Sequence, residues 1–163
     1  MLSFYIVDKD YVNYLRKFDS KVPTLDYVTH DKFFCGVVLS IGSIKYYAPI
    51  SHDITKQRTN FIIYHRDREI SSIKFSFMIP VPDDVVHRMD FNEIEKTDSK
   101  YADLLRTEYE YCRAHTSEIY NKAETVYKIG TNPRHKLNMV CCDYNMLESV
   151  YLQYGKQTEN NIP

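Results

Sequence analysis

The stretch Phe33-Phe34-Cys35-Gly36-Val37-Val38-Leu39-Ser40-Ile41-Gly42-Ser43-Ile44-Lys45-Tyr46-Tyr47 decides the fold. Its apolar residues are mostly β-branched or aromatic, which fit a pleated, half-buried surface, so it reads as two strands. Between them Gly42-Ser43 supplies a two-residue turn with glycine in the first central position, a hairpin signal. The second strand closes at Ala48-Pro49. Asn60–His65 reads as a third strand and Ile70–Ile79 as a fourth, in which Ile73, Phe75 and Phe77 alternate with Ser72, Lys74 and Ser76. His65 to Glu69 forms a charged turn between these two, and Pro80-Val81-Pro82 ends the series.

Helical periodicity lies on either side. Ser3 to Val7 is a short strand. Asp8 then offers a cap, and Tyr11, Val12, Leu15 and Phe18 recur at three and four residues, predicting an amphipathic helix over Asp8–Asp19. Pro23 bars its continuation. Asp83–Ile94 is mixed. Thr97-Asp98-Ser99 offers caps for a long helix to about Tyr127, with Tyr101, Leu105, Cys112, Ile119, Ala123 and Val126 on one stripe. Leu137–Cys142 reads as a short strand. Asp143 caps a last helix carrying Met146, Leu147, Val150, Tyr151 and Tyr154, which Gly155 should stop before a polar tail over 156–163. The expectation is one domain over 1–163, of class α+β, with a mainly antiparallel sheet and helices packed outside it.

With 163 residues, 44% of them hydrophobic and 26% charged, the chain has a globular composition and can bury a core without staples. No apolar run approaches the roughly 18 residues of a membrane span. The first residues lack the basic segment of a signal peptide, so the expected location is cytoplasmic, away from membranes. Cys35, Cys112, Cys141 and Cys142 lack zinc spacing and read as buried small apolar side chains. The net charge of −1 argues against a general polyanion binder, yet it is unevenly spread. Residues 1–80 carry 11 Lys and Arg against 8 Asp and Glu, whereas residues 81–124 carry 6 against 11. A basic first half suits an anion site.

No phosphate-binding glycine loop, serine-hydrolase elbow or metalloprotease motif appears. The informative polar cluster is Pro49-Ile50-Ser51-His52-Asp53-Ile54-Thr55-Lys56-Gln57-Arg58-Thr59-Asn60, a hydroxyl, an imidazole and two cations on a loop held by strands. Metal-free RNA cleavage asks a site to take a proton from a ribose 2′-OH and give one to the leaving 5′-oxygen. It must also neutralise the phosphorane and hold attacking and leaving oxygens in line. Histidine can move protons near neutral pH, lysine and arginine can hold the charge, and serine can donate to a phosphate oxygen. The same residues also suit a plain surface loop.

The chain resembles the type III toxin–antitoxin endoribonucleases, the ToxN/AbiQ family, most strongly over residues 3–82. The resemblance is carried by Tyr11-Val12-Asn13-Tyr14-Leu15 with Phe18-Asp19-Ser20-Lys21-Val22-Pro23, and by the hairpin from Phe34 to Ser51. Phe77-Met78-Ile79-Pro80-Val81-Pro82 and Val140-Cys141-Cys142-Asp143 add to it. It implies a β-barrel-like core of the plasmid toxin Kid/MazF type with added helices. It also implies a metal-independent endoribonuclease with no cofactor, leaving a 2′,3′-cyclic phosphate and a 5′-hydroxyl on cellular or phage RNA. The implied partner is an RNA antitoxin, a tandem-repeat transcript cut into pseudoknots that block the toxin in a closed protein–RNA assembly, and the implied roles are growth arrest and abortive infection.

Carried over residue by residue, Lys32 matches a family lysine in the RNA groove, and Tyr27 matches a family tyrosine with a one-residue gap. Ser51 falls on the first hydroxyl of a Thr/Ser-Ser turn. His52 replaces the turn's second serine. The family's next lysine falls at Ile54, so Lys56 takes its place through a longer loop. The catalytic candidates are therefore Ser51, His52, Lys56 and Lys32, with Lys21, Tyr27, Lys32 and Arg58 binding RNA. Two other readings stand beside this one, a non-catalytic barrel-fold RNA-binding module and an RNase toxin restrained by a protein antitoxin.

Overall fold

The computed structural model describes residues 1–25, 30 and 32–159. β2 (Phe34–Ile41) and β3 (Ile44–Ser51) form the hairpin expected from the sequence, with Ile41 paired to Ile44 and Gly42 at φ +59°. Glycine enters that left-handed region without a Cβ penalty. β4 (Asn60–His65) and β5 (Arg68–Lys74) form a second hairpin. Its two turn residues, Arg66 and Asp67, both have positive φ, 50° and 63°, as the twist-matched two-residue turn requires.

β1 (Ser3–Val7), β6 (Ile79–Pro80) and β7 (Val86–Arg88) complete an antiparallel sheet of order β4-β5-β3-β2-β1-β7, with β6 beside β3. This corrects the barrel-like expectation, because the sheet is open, with β4 and β7 at its edges. β7 has three residues, after which the Met89 N–H returns to the Phe4 carbonyl at 2.9 Å. No ladder joins β7 to β4 among the described residues.

The predicted strand Ile70–Ile79 is shorter, and Phe75–Phe77 coil into a 3₁₀ turn. The C-terminal segment takes the carbonyls a longer strand would have used. Cys142 N–H donates to Ser76 O at 2.8 Å and the Tyr144 hydroxyl to Phe75 O at 2.7 Å. The predicted long helix is two, α3 (Ser99–Ala114) and α4 (Thr116–Gly130), parted at His115. There the His115 ring meets the Tyr111 carbonyl at 2.8 Å and the Thr116 hydroxyl donates to Arg113 O at 2.8 Å. Such local side-chain bonds compete with the helical ladder. Ahead of α3 lies α2 (Phe91–Thr97), capped by Asp90.

Leu137–Cys142 holds a 3₁₀ turn instead of a strand, and Asn138 Nδ2 donates to the Ile129 and Gly130 carbonyls at the end of α4. α1 spans Lys9–Arg16, and Asp8 before it binds the His87 ring at 2.7 Å instead of capping. Asp143 caps α5 (Tyr144–Val150) as expected. Gly155 does not stop the last helix, since α6 (Tyr154–Glu159) runs through it.

The core is aromatic. Phe4 meets Phe33, Phe91 and Tyr109, and Tyr46 meets Tyr127 and Tyr144. All four cysteines are buried free thiols. Among the described residues no helix is long and apolar enough to cross a membrane. Packing is tight at Gly36, where an added Cβ would lie 2.2 Å from Cδ1 of the buried Tyr47. Gly36→Ala is therefore expected to cost about 1–3 kcal/mol. A thermal melt should show a fall of several degrees.

Candidate active site

Ser51 is the last residue of β3, and strand register places its neighbours. On one flank it pairs with Ser72 of β5. On the other, Phe34 pairs with Pro49 and the Ile50 N–H donates to Phe33 O at 3.1 Å, so the next step brings Lys32 opposite Ser51. Both residues are half-buried. Two candidate residues nineteen positions apart in the chain thus lie opposite each other in the backbone at one end of the sheet.

Beyond Ser51 the chain leaves the sheet and returns at Asn60. Ser51 Oγ accepts from Asp53 N at 3.1 Å. Asp53 Oδ1 accepts from the Thr55 amide at 3.0 Å and its hydroxyl at 2.7 Å, a self-bonded turn. Ser72 Oγ donates to the Asp53 carbonyl at 2.6 Å, Lys74 Nζ to Asp53 Oδ2 at 2.6 Å, and Asn60 Nδ2 to Thr55 O at 3.1 Å. The Lys74 hydrogen bond, with those from Thr55, holds the Asp53 carboxyl well below the usual carboxylate range. Asp53, Ser72 and Lys74 escaped the sequence reading. Ser72 and Lys74 look like any outward positions of an alternating strand, and only Asp-x-Thr carried a turn signal.

His52 is exposed and makes no hydrogen bond among the described residues. Lys56 Nζ pairs with Glu69 Oε1 at 2.8 Å, and that bond raises the ammonium pKa. Arg58 is exposed on the same loop. Lys21 is engaged elsewhere, donating to Cys141 O at 2.6 Å, beside a bond from Asp143 N to Asp19 Oδ2 at 2.6 Å. It ties the segment after α1 to the C-terminal elements. Tyr27 lies outside the described residues. Among the described residues no three His, Cys, Asp or Glu side chains are grouped to hold a metal ion.

The profile of the toxin ToxN of type III toxin–antitoxin systems matches residues 3–152. The chain belongs to that family. Its relatives include the endoribonuclease ToxN of Bacillus thuringiensis subsp. kurstaki, 28% identical over 96% of this chain and 86% of that one. ToxN of Pectobacterium atrosepticum is 27% identical over 98% of this chain and 97% of its own length. The endoribonuclease AbiQ of Lactococcus lactis subsp. lactis is 26% identical over 96% and 91%.

Solved structures agree with this membership. One, from work on selective toxin inhibition by a non-coding RNA pseudoknot in bacterial type III systems, has a TM-score of 0.88 at 29% identity, covering 95% of this chain and 98% of that one. AbiQ, a lactococcal anti-phage endoribonuclease of a type III system, has a TM-score of 0.82 at 25% identity over 96% and 99%. The fold of this chain is thus the fold of those proteins.

Proposed function

We propose that this chain is an endoribonuclease toxin of a type III toxin–antitoxin system, cutting RNA and held in check by a non-coding RNA pseudoknot. The match to ToxN over residues 3–152 carries this reading, since it spans nearly the whole chain. AbiQ, an anti-phage relative, supports a role in abortive infection. The cleavage step is attack of the ribose 2′-oxygen on the adjacent phosphorus. The 5′-oxygen leaves with a proton, giving a 2′,3′-cyclic phosphate and a 5′-hydroxyl without a metal. Lys32 neutralises the phosphorane charge, and Ser51 donates to a phosphoryl oxygen while its oxygen still accepts from Asp53 N. Lys74, fixed on Asp53, holds the loop in place. His52, exposed and unbonded, is the side chain free to carry a proton between oxygens.

The antitoxin pseudoknot spans the same face in a closed protein–RNA assembly, with Arg58 and Lys32 on its phosphates. Binding of RNA releases counterions, so affinity should fall as salt rises, with a slope that reports the number of phosphates neutralised. Arg58→Gln is expected to lower that slope by about 0.7–0.9, because one phosphate is no longer neutralised. Fluorescence anisotropy with the repeat RNA encoded beside the toxin gene measures it. A slope untouched in both Arg58→Gln and Lys32→Met places the pseudoknot elsewhere. Purified protein that cuts RNA, and stops when this RNA is added, tests the function as a whole.

A further inference from the structure

A cavity of about 570 Å³ opens between β1, β7 and the helices α2 and α3. Ile6, Met89 and Ile94 give it an apolar lining. The rings of His30 and Tyr101 lie stacked in its wall, with centroids 3.7 Å apart and planes 18° from parallel. His30 Nε2 is held 3.0 Å from Asp98 Oδ2, which fixes the imidazole in that stack. Arg88 is exposed at the cavity and makes no ion pair among the described residues.

The cavity lies close to the candidate active site. Lys32 follows His30 by two residues, a reach of at most ~7 Å along an extended chain. Lys32 in turn faces Ser51 across the strand pair.

We propose that this cavity is a subsite for one unstacked nucleobase bearing an exocyclic amine, next to the phosphate that is cut. This rests on the endoribonuclease reading above. A flat, fixed aromatic pair offers a stacking surface for a splayed-out base, the usual way single-stranded RNA is read. Arg88 is the cation for that nucleotide's own phosphate. Asp90 and Glu93 line the same cavity, and a carboxylate accepts hydrogen bonds from a base amine but repels a bare phosphate. Asp90 uses Oδ1 to cap α2, leaving Oδ2 for the base. A base that presents a carbonyl oxygen there finds an acceptor facing an acceptor.

The test follows backbone amide signals of the purified full chain by NMR during titration. The probes are guanosine 5′-monophosphate, inosine 5′-monophosphate, which lacks only the amine, and inorganic phosphate. Guanosine monophosphate should shift signals of Tyr101, Arg88 and Ile94, with inosine monophosphate binding about tenfold more weakly for want of one charge-assisted hydrogen bond. Phosphate alone should leave the cavity signals in place. His30→Ala, an exposed change that spares the core, should weaken guanosine monophosphate binding to a similar extent. Equal binding of the two nucleotides overturns the proposal, as do shifts confined to other residues. RNA cleavage by the same preparation separates the two readings. Cleavage without shifts at the cavity removes the subsite alone. Absence of cleavage removes the endoribonuclease reading and the subsite with it.

Discussion

Ser51→Ala is expected to slow RNA cleavage by about 10²–10³-fold, the loss seen when one donor to a charged transition state is removed. Lys32→Met should lose at least as much, because it removes the positive charge opposite Ser51. Neither change should unfold the chain, since both side chains are half-buried at the end of the sheet and lie outside the apolar core. His52→Gln divides the chemistry further. A proton carrier contributes about 10²–10⁴-fold, and its loss also erases the inflection it gives the pH–rate profile. Lys56→Met should lower the rate and leave that inflection, because it removes a cation and not the proton carrier. Rate against pH for all four variants checks these outcomes. A His52→Gln protein with an unchanged profile assigns the work to Ser51 and Lys32.

Glu108→Gln is expected to stabilise the protein on the order of 3 kcal/mol at pH 8 and to do little at pH 4. Glu108 lies on α3 with no exposed surface, and neither of its carboxylate oxygens has a hydrogen-bond partner among the described residues. The nearby Ser71 hydroxyl favours the charged form a little but is not in hydrogen-bond geometry. Burial pushes the carboxyl up to about 7 from an ordinary 4.5. Between those values the folded chain keeps a proton that the unfolded chain has released. Stability is therefore complete below about pH 4.5 and falls as pH rises toward 7 and beyond. Glutamine keeps the shape without the titration. Denaturant melts at pH 4 and 8 read the difference, and parallel pH slopes in the two proteins would contradict it.

The hairpins and the helix stripes were legible in the sequence because turn chemistry and periodicity are local. The Gly42 turn and the Asp143 cap are examples. The breaks were not, because they depend on distant partners. Phe75–Phe77 leaves the strand where Tyr144 and Cys142 claim its carbonyls, residues almost seventy positions later. The open sheet depends on whether its two edges meet, which no local pattern encodes. In the site, Ser51 and Lys32 were named by family resemblance, and extending the β2–β3 register by two residues puts their backbones opposite each other. Lys74 and Ser72 stayed hidden because strand alternation marks them as outward, whereas in the fold the returning loop covers them and Ser72 is fully buried. The bond from Lys21 to the Cys141 carbonyl stayed hidden too, since its partner lies 120 positions away.

The most direct test of the central claim is a cleavage assay on a defined RNA in EDTA, beside a twin substrate with hydrogen replacing the 2′-hydroxyl at the cut position. The account predicts cleavage of the first alone, with 2′,3′-cyclic phosphate and 5′-hydroxyl ends, stopped by the pseudoknot RNA. Cutting that vanishes in EDTA and returns with magnesium, or that proceeds on the 2′-deoxy twin, would contradict it.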